Sequence, residues 1–505
     1  MDESLTTKAL RGLKWTYAST LAIAALQVVY TAIMARLLAP EAFGIVAMAG
    51  VMLRFVTYFA QLGVGQAIVQ KKELTDEDVR VAFTVSVLLG ALFFVFVYAA
   101  APLATHIMPQ EALVPILQVL AFSFVLNGLS SISVNLMKRD LKFRELMFIE
   151  IIAFTIGYGL FGIGAALSGL GVWSLVIATL SYSLITVFLS YPFAKHGVLP
   201  LVRWESLKPL VSFGGRVSTI SFFEFIGSSL DTLTIGRLLG SKPLGIYNRA
   251  YMLVNLPIYN LTTSMSKVLF PSFSRIQAER DKLQLAYLSA ITIVGALITP
   301  ACVGISMTAR EIVPVVLGPN WAQAIPVLSI LALATPFAML SHFGGIICDS
   351  TAQLNEKLLL QMAHVTALLI LFWFARPYGI VGFACAVLVA EVLRNIAYFF
   401  LMKRILDVNG RQMIEAYKPA LVAGLLAGFG IYSTGAFFRF WSGNVFVILT
   451  AEASCGAALL FLTFLFRPPR SLRNALRRPI TSMANEARQD QYFGRLLVWL
   501  QNRFA

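Results

Sequence analysis

Long apolar stretches recur along almost the whole of this chain, and they constrain its fold more than any other feature. A helix needs roughly 20 residues to cross the 30 Å hydrocarbon core of a bilayer, whereas a barrel strand shows roughly 10 residues of alternating character. The stretches fit the helix, so the sequence predicts an all-α polytopic membrane protein with about 14 transmembrane helices. The predicted spans lie at about 13–35, 42–64, 81–104, 113–137, 148–168, 171–193, 209–235, 243–269, 285–308, 322–347, 358–375, 379–402, 415–437 and 444–466.

Composition supports a membrane protein and gives no sign of a metal or cofactor site. Hydrophobic residues make up 58% of the 505 and charged residues 13%, with a mean hydropathy of +0.77. A soluble domain carries about 25% charged residues, so this chain has too little polar surface to cover its cores in water. The four cysteines show no Cys-x-x-Cys spacing, and His342 and His364 have no partner at ligand spacing.

The net charge of +15 is explained by membrane topology rather than by nucleic-acid binding. Thirty of the 40 Lys and Arg residues fall at the N-terminus, in the loops after even-numbered spans and in the C-terminal tail. Only six fall in the loops on the other side, and they are Arg36, Arg237, Lys242, Arg310, Arg376 and Arg439. Short cytoplasmic loops collect basic residues, so both termini are predicted to be cytoplasmic.

The predicted loops are all short, and no soluble domain interrupts the spans. A glycosyltransferase or a polysaccharide polymerase needs a catalytic domain or a large external loop to hold its substrate. The sequence therefore favours a transporter over an enzyme.

One segment occurs twice at a constant offset of 201 residues, as ARLLAPEAFGI at 35–45 and GRLLGSKPLGI at 236–246. Each copy joins the first and second span of a six-span block. Because six is even, the two blocks run in the same direction, as parallel transporter lobes related by an axis along the membrane normal do. Chance similarity of two outer loops is the alternative, and the matching topological position favours duplication.

The repeat predicts four regions. Residues 1–200 form an N-lobe of spans 1 to 6, and residues 201–408 form a C-lobe of spans 7 to 12. Residues 409–467 hold spans 13 and 14, and residues 468–505 form a basic cytoplasmic tail. In parallel-lobe transporters the substrate lies between the lobes, which rock about it.

Several segments resemble one known family. They are ARLLAPEAFGI, GVGQAIVQKK, LDTLTIGRLLG followed by LGIYNRAYMLVNLP, VLFPSFSRIQAERDKL and VVLGPNWAQAIPVLSIL, and they extend from about residue 8 to 405. In order and spacing they resemble the Wzx-type polysaccharide flippases of the multidrug/oligosaccharidyl-lipid/polysaccharide exporter superfamily, nearest the colanic-acid flippase branch. The resemblance implies two six-helix lobes plus a helix pair. It also implies transfer of an undecaprenyl-diphosphate-linked oligosaccharide across the bacterial inner membrane.

Such a substrate needs a cationic cavity for its diphosphate. An arginine within the membrane is costly and is a functional candidate by default, and its planar fork suits phosphate oxygens. Four lie inside predicted spans: Arg54, Arg216, Arg249 and Arg394. Arg54 is near the middle of its span, whereas Arg216 and Arg249 are close enough to an end to reach the interface.

Acidic residues within the spans are candidates for ion coupling, which needs a carboxylate whose affinity for H⁺ or Na⁺ changes with conformation. Glu224 and Asp231 are seven residues apart and share one helix face. Compensation of Arg216 or Arg249 is the other interpretation of this pair. Glu391 precedes Arg394 by three positions, so these two either neutralise each other or bind substrate. Glu452 has no predicted role.

The tail after Arg467 has basic residues and helically spaced apolar ones, which predicts an amphipathic helix on anionic membrane lipids. A docking helix for another polysaccharide assembly protein is the alternative. For the whole chain, two functions compete with a flippase. One is a drug/cation antiporter of the same superfamily, and the other is a non-transporting scaffold of a glycan assembly pathway.

Overall fold

The computed structural model describes residues 5–60, 65, 68–69, 71, 73–201, 225–441, 443–465 and 472–473. Within these ranges the chain is helical and contains no strand, which confirms the predicted all-α class. The chain divides into two compact units, one of residues 1–249 with 316–320 and one of residues 250–315 with 321–505. The predicted lobe boundary at 200–201 adjoins residues 202–224, which lie outside the described part.

The first unit contains ten of the helices that we label along the described chain. They are α1 (Leu5–Leu37), α2 (Pro40–Ala60), α3 (Asp76–Ala100), α4 (Ala104–Ile107), α5 (Leu113–Leu120), α6 (Phe122–Arg139), α7 (Phe143–Phe154), α8 (Ile163–Leu167), α9 (Trp173–Ala194) and α10 (225–239). A 3₁₀ turn (Ala101–Leu103) joins α3 to α4, and a π-helical segment (Thr155–Gly162) joins α7 to α8.

The next helix, α11 (Ser241–Arg275), contains the division between the two units. It is followed by α12 (Arg280–Met307), α13 (Ala309–Val316), α14 (Ala324–Ser350), α15 (Leu354–Ala375), α16 (Gly379–Leu406), α17 (Gly410–Trp441) and α18 (Val445–Leu465). Short 3₁₀ turns occupy Pro319–Trp321 and Arg376–Tyr378.

Eleven stretches of the described residues are long and apolar enough to cross a membrane, which confirms a polytopic membrane protein. The stretch Leu354–Leu406 holds two helices, α15 and α16, which correspond to predicted spans 11 and 12. Predicted span 7 lies largely outside the described residues, and span 8 falls on α11. The total of fourteen therefore stays a prediction.

Close helix packing in the first unit depends on small residues. Helices α3 and α6 pack on each other, as do α1 and α7, and α9 packs on the π-helical segment. A Cβ at Gly90 of α3 would lie 2.5 Å from the carbonyl oxygen of Phe124, and one at Gly128 of α6 would lie 2.6 Å from that of Ser86. These two glycines let the backbones approach, as small residues do between membrane helices.

The start of α3 is fixed by its own sequence. The hydroxyl of Thr75 accepts a hydrogen bond from the backbone N–H of Asp78 at 3.2 Å, and the Asp78 carboxylate accepts one from the Thr75 N–H at 3.1 Å. This reciprocal capping box satisfies two N–H groups that a helix start leaves without partners. Lys71 then pairs with Asp78 at 2.6 Å and ties the preceding loop to the helix.

His196 follows α9 and anchors the end of that helix to α6. Its ring Nε2 lies 2.9 Å from the hydroxyl of Ser133, and its carbonyl accepts a hydrogen bond from the Tyr191 hydroxyl at 3.2 Å. The ring packs against Phe83 with the centroids 5.0 Å apart. Burial lowers the pKa of His196 from its ordinary value of 6.5. The hydrogen bond to the backbone of Gly197 opposes this effect but is the smaller of the two, so the pKa stays lowered.

In the second unit, α12 lies at the centre of the packing. It contacts α14 and, most extensively, α17, which in turn packs on α18. Helices α14, α15 and α16 form a second set, with α16 in contact with both of the others. The helices of predicted spans 13 and 14 thus belong to the same compact unit as α12 to α16.

Candidate transport site

The two copies of the repeated segment contact each other inside the first unit, and we call this contact the repeat interface (residues 35–45 and 236–246). A Cβ placed on Gly44 would overlap the carbonyl oxygen of Ser241, and a Cβ placed on Gly245 would overlap that of Pro40. Gly44 and Gly245 are equivalent in the repeat, and so are Pro40 and Ser241. The contact is therefore reciprocal, which is the signature of a local two-fold axis.

The two equivalent arginines of the repeat, Arg36 and Arg237, also make reciprocal contacts, each with a loop of the other copy. Arg36 donates hydrogen bonds to the carbonyls of Ala32 at 2.8 Å and Val316 at 2.9 Å. Arg237 donates to the carbonyls of His106 and Ile107, both at 2.8 Å. His106 follows predicted span 3 and Val316 follows predicted span 9, so each arginine binds the loop after the third span of the other block.

An ion pair completes the repeat interface. Lys242 lies 3.9 Å from Glu41, and these two positions are also equivalent in the repeat. Both side chains are substantially exposed, so the pair is worth about 1 kcal/mol at most. The sequence revealed the repetition but not the contact, and the matched glycines were the signal for it.

Arg249 lies in the first unit near the start of α11, where its guanidinium makes a cation–π contact with an aromatic ring. Its guanidinium carbon is 4.6 Å from the centroid of the Phe43 ring, and it donates a hydrogen bond to the side-chain oxygen of Asn248 at 3.2 Å. Tyr30 is close enough to interact with it electrostatically, and the Tyr30 hydroxyl has no hydrogen-bond partner among the described residues. A cation over a ring face is stabilised by the quadrupole of that ring.

Arg54 lies on α2 in the same unit and acts electrostatically on Asp231 of α10. Phe55 and Phe225 hold these two helices together, with ring centroids 6.2 Å apart. Asp231 also accepts a hydrogen bond from the backbone N–H of Thr232 at 2.6 Å. Arg54 is exposed and forms no ion pair within the described residues.

Glu391 and Arg394 belong to the second unit, and the structure places them in one polar cluster on α16. Arg394 pairs with Glu391 at 3.6 Å and donates a hydrogen bond to the side-chain oxygen of Gln361 at 3.5 Å. The ring Nε2 of His364 lies 3.5 Å from the same Glu391 oxygen. His364 therefore joins the predicted pair, although the sequence offered no partner for it at ligand spacing.

A second charged cluster in this unit was not predicted. Arg439 of α17 lies 2.7 Å from Glu311 of α13 and 3.1 Å from Glu452 of α18. The sequence placed Arg439 in an outer loop and gave Glu452 no role, and it offered no sign that both lie beside Glu311. No group of three His, Cys, Asp or Glu side chains that would hold a metal ion occurs in the part of the chain that the structure describes.

Two of the predicted site residues, Arg216 and Glu224, lie outside the described residues, as does nearly all of the predicted tail helix. Of the others, the structure brings Arg54, Asp231 and Arg249 into the first unit and Glu391 with Arg394 into the second. The roles predicted for all of them remain predictions.

Comparisons with known proteins identify the family. A family model described as "Polysaccharide biosynthesis protein" matches residues 33–326. The chain is similar to the lipopolysaccharide biosynthesis protein WzxC of Escherichia coli (strain K12), with 25% identity over 418 residues, 81% of this chain and 84% of that protein. It is also similar to the succinoglycan biosynthesis transport protein ExoT of Rhizobium meliloti (strain 1021), with 28% identity over 331 residues, 64% of this chain and 65% of that protein.

The fold has a solved counterpart. The structure titled "Lipid II flippase MurJ, inward closed conformation" matches with a TM-score of 0.70 and 13% sequence identity, over 91% of this chain and 99% of that one. At this identity the likeness concerns the fold alone. Together the comparisons confirm the family resemblance seen in the motifs, and they confirm a transporter rather than an enzyme.

Proposed function

Because this chain belongs to the polysaccharide biosynthesis protein family, we propose that it flips undecaprenyl-diphosphate-linked oligosaccharide repeat units across the bacterial inner membrane. The product would supply extracellular polysaccharide biosynthesis on the far side of that membrane. Relatives described as lipopolysaccharide biosynthesis and succinoglycan transport proteins support this substrate class, and a fold shared with a lipid II flippase is consistent with it.

The observation that carries the proposal is the repeat interface. Transport by alternating access needs two similar halves that meet on one side of the membrane and separate to release the substrate. The reciprocal contacts of Gly44 with Ser241 and of Gly245 with Pro40 support a duplication of this kind. They also support the predicted division into lobes 1–200 and 201–408, with 409–467 as an added helix pair.

The polar contacts of the repeat interface are weak enough to break during transport. Its polar part consists of hydrogen bonds from Arg36 and Arg237 to main-chain carbonyls and of one exposed ion pair. Hydrogen bonds from charged groups contribute at most about 3 kcal/mol each, and exposed ion pairs about 1 kcal/mol or less. Substrate binding or an ion gradient can offset energies of this size. We assign this interface to the outer gate, on the predicted periplasmic side.

Arg54 and Arg249 are the side chains that we assign to the diphosphate. Both lie in the first unit, where Arg249 lies over the Phe43 ring and Arg54 forms no ion pair among the described residues. Arg54 is exposed on α2 and is near enough to Asp231 of α10 to interact with it electrostatically. An arginine fork binds two phosphate oxygens at once, which a lysine does not. Arg216 and Arg394 stay secondary candidates, and Glu224, Asp231 and Glu391 stay candidates for ion coupling.

The proposed topology places both termini in the cytoplasm. The basic tail 468–505 then faces the anionic inner leaflet and, in the alternative, another assembly protein. Cysteines introduced after residue 470 and in the loop 138–145 should react with an impermeant thiol reagent only from the cytoplasmic side. Labelling of either position from the periplasm would overturn this topology.

The function is tested with a deletion strain. A flippase predicts that lipid-linked repeat units accumulate facing the cytoplasm and that the intact gene clears them. A drug/cation antiporter predicts altered drug sensitivity without that accumulation. A scaffold predicts that repeat units still reach the periplasmic leaflet but fail to be assembled.

The gate is tested by locking it. Cysteines at positions 41 and 242, whose native side chains lie 3.9 Å apart, should be joined by a short thiol crosslinker. Export should stop on crosslinking and return after reduction of a cleavable linker. Each single cysteine variant, treated in the same way, is the control. Undiminished export by the crosslinked protein would contradict the assignment of the repeat interface to a gate.

A further inference from the structure

The cluster of Glu311, Arg439 and Glu452 in the second unit has more acid than base. Arg439 reaches Glu311 through both its Nε at 2.9 Å and an Nη at 2.7 Å, and the same Nη lies 3.1 Å from Glu452. One guanidinium therefore serves two carboxylates. If both were ionised, the cluster would carry a net negative charge.

Burial makes that charge expensive. Glu311 is 4% exposed and Glu452 is 0% exposed, so water does not stabilise either carboxylate. The Oε2 atom of each is buried without a hydrogen-bond partner among the described residues. A buried charge without compensation costs several kcal/mol, and a carboxyl group avoids this cost by keeping its proton.

The packing of α17 on α18 makes room for this arrangement. A Cβ placed on Gly435 would overlap the Oε1 atom of Glu452 and would lie 3.0 Å from the Nη of Arg439. Gly435 is one turn before Arg439 on α17. The missing side chain of Gly435 leaves space for the Glu452 carboxylate, and Arg439 supplies the positive charge beside it. This fit shows that the carboxylate of Glu452 is accommodated inside the helix pair.

We propose that Glu311, Arg439 and Glu452 form a proton-binding site that holds one proton on its two carboxyl groups. The proton sits on the Oε2 atom of one glutamate, while the other glutamate stays ionised and pairs with Arg439. Arg439 is the least buried member of the cluster, since its side chain is 35% accessible.

A proton suits the site better than Na⁺ does. Hard metal cations in proteins take about six or more oxygen ligands, whereas this cluster offers two uncommitted carboxylate oxygens. The guanidinium of Arg439, within 3.1 Å of both acids, also repels a second cation. Neighbouring charges do not change the balance, since Arg310 beside Glu311 is exposed and α12 has no charged residue after Lys282.

The position of Glu311 links proton binding to the repeat interface. Glu311 lies on α13, the two-turn helix whose last residue, Val316, accepts the hydrogen bond of Arg36. Loading and unloading of the proton would change the pairing at one end of this short helix. This part rests on the proposed function, whereas proton binding itself does not.

The site is tested on the full-length protein in detergent, without substrate. A hydrophobic carbodiimide reacts with protonated carboxyl groups in apolar surroundings, and mass spectrometry locates the adduct. We expect labelling of Glu311 or Glu452 at about pH 6 that is lost as the pH rises to about 9. Absence of labelling at both residues over this range would overturn the proposal. If Na⁺ at constant pH protected these residues from labelling, the site would bind sodium rather than a proton.

Two variants check the same point through stability. Glu452→Gln copies the neutral carboxyl group, so it should keep the melting temperature of the wild type at about pH 6 and lose the fall in stability at about pH 9. Glu415→Gln is the control, because Glu415 lies on the same helix α17 and is 59% exposed. A melting temperature of Glu452→Gln that falls with pH as steeply as the wild type would contradict a proton at this cluster. Undiminished export by Glu452→Gln, together with pH-dependent labelling of the wild type, would instead count against the transport role alone.

Discussion

Arginines within the two units are stabilised in different ways. In the first unit, Arg249 lies over the Phe43 ring and Arg54 lies exposed near Asp231. In the second unit, Arg394 pairs with Glu391, and Arg439 pairs with two glutamates. A ring face or an amide leaves the positive charge of an arginine in place, whereas a carboxylate cancels it.

This difference distinguishes arginines that can bind substrate from arginines that stabilise the fold. A guanidinium that keeps its charge can attract a diphosphate, and a guanidinium that is neutralised within the fold contributes to stability or to proton binding. The first unit should therefore determine affinity for the anionic substrate. Substitutions of arginine in the second unit should lower the free energy of unfolding first.

The largest effect is expected at Arg54. Arg54→Ala should abolish export while the protein inserts at normal levels, because the side chain is exposed and forms no ion pair among the described residues. Arg54→Lys should restore export only in part, because a point charge cannot reproduce the bidentate fork, and Arg54→Gln should fail as alanine does. Export and melting temperature are measured side by side. Full export by a stable Arg54→Ala protein would remove Arg54 from the mechanism and move the assignment to Arg249.

Arg439→Ala should produce the largest loss of stability. Removing the cation leaves the ionised carboxylate of the Glu311 and Glu452 pair buried without compensation, which costs about 3 kcal/mol, the lower end of the range because Arg439 is partly exposed. Chemical denaturation in detergent measures this loss. The control is Arg411→Ala on the same helix, whose ion pair with Glu415 is solvent-exposed and worth about 1 kcal/mol or less. Equal losses in the two variants would show that the buried cluster is no different from a surface pair.

Gly44→Ala should weaken the repeat interface. The added methyl group would overlap the carbonyl of Ser241, and overpacking of this kind costs about 1–3 kcal/mol. We expect a cysteine at position 242 to become more reactive towards an impermeant thiol reagent in this background. Gly50→Ala is the matched control on α2, because a Cβ there has no atom within 4 Å. Reactivity unchanged by Gly44→Ala would mean that the two copies adjust without separating.

A smaller effect is expected for pH at His196. Burial lowers the pKa of His196 from 6.5, so the unfolded chain takes up a proton before the folded protein does as the pH falls. The stability that neutral His196 contributes is thus present above about pH 6.5 and is lost below it. His196→Gln should flatten this dependence in melting curves measured from about pH 8 to about pH 5. A curve of the same slope in the variant would assign the dependence to other groups.

The smallest effect is expected for the tail. If residues 484–505 bind the membrane surface, their removal should leave the melting temperature of the bundle unchanged. A lower melting temperature, or failure to insert, would show that the tail packs into the core instead.

Sequence patterns predicted what depends on local periodicity and failed where distant residues meet. The apolar stretches gave the helices, and the three-residue spacing of Glu391 and Arg394 anticipated a pair that the structure shows at 3.6 Å. Spacing along the chain carries no information about Glu311 and Arg439, which are 128 residues apart and meet only after α13 and α17 pack in one unit. The sequence linked Asp231 to Arg216 or Arg249, which stays a prediction, and it gave no sign of the proximity of Arg54 to Asp231.

The pair of Glu41 and Lys242 records the history of the molecule. An interface with two-fold symmetry can be formed by two identical polypeptides, which suggests a dimeric ancestor with one gene for both halves. In such a dimer these equivalent positions would hold the same residue and would place like charges side by side. A single chain that carries both copies lets each position mutate alone, which permits opposite charges at equivalent positions such as Glu41 and Lys242.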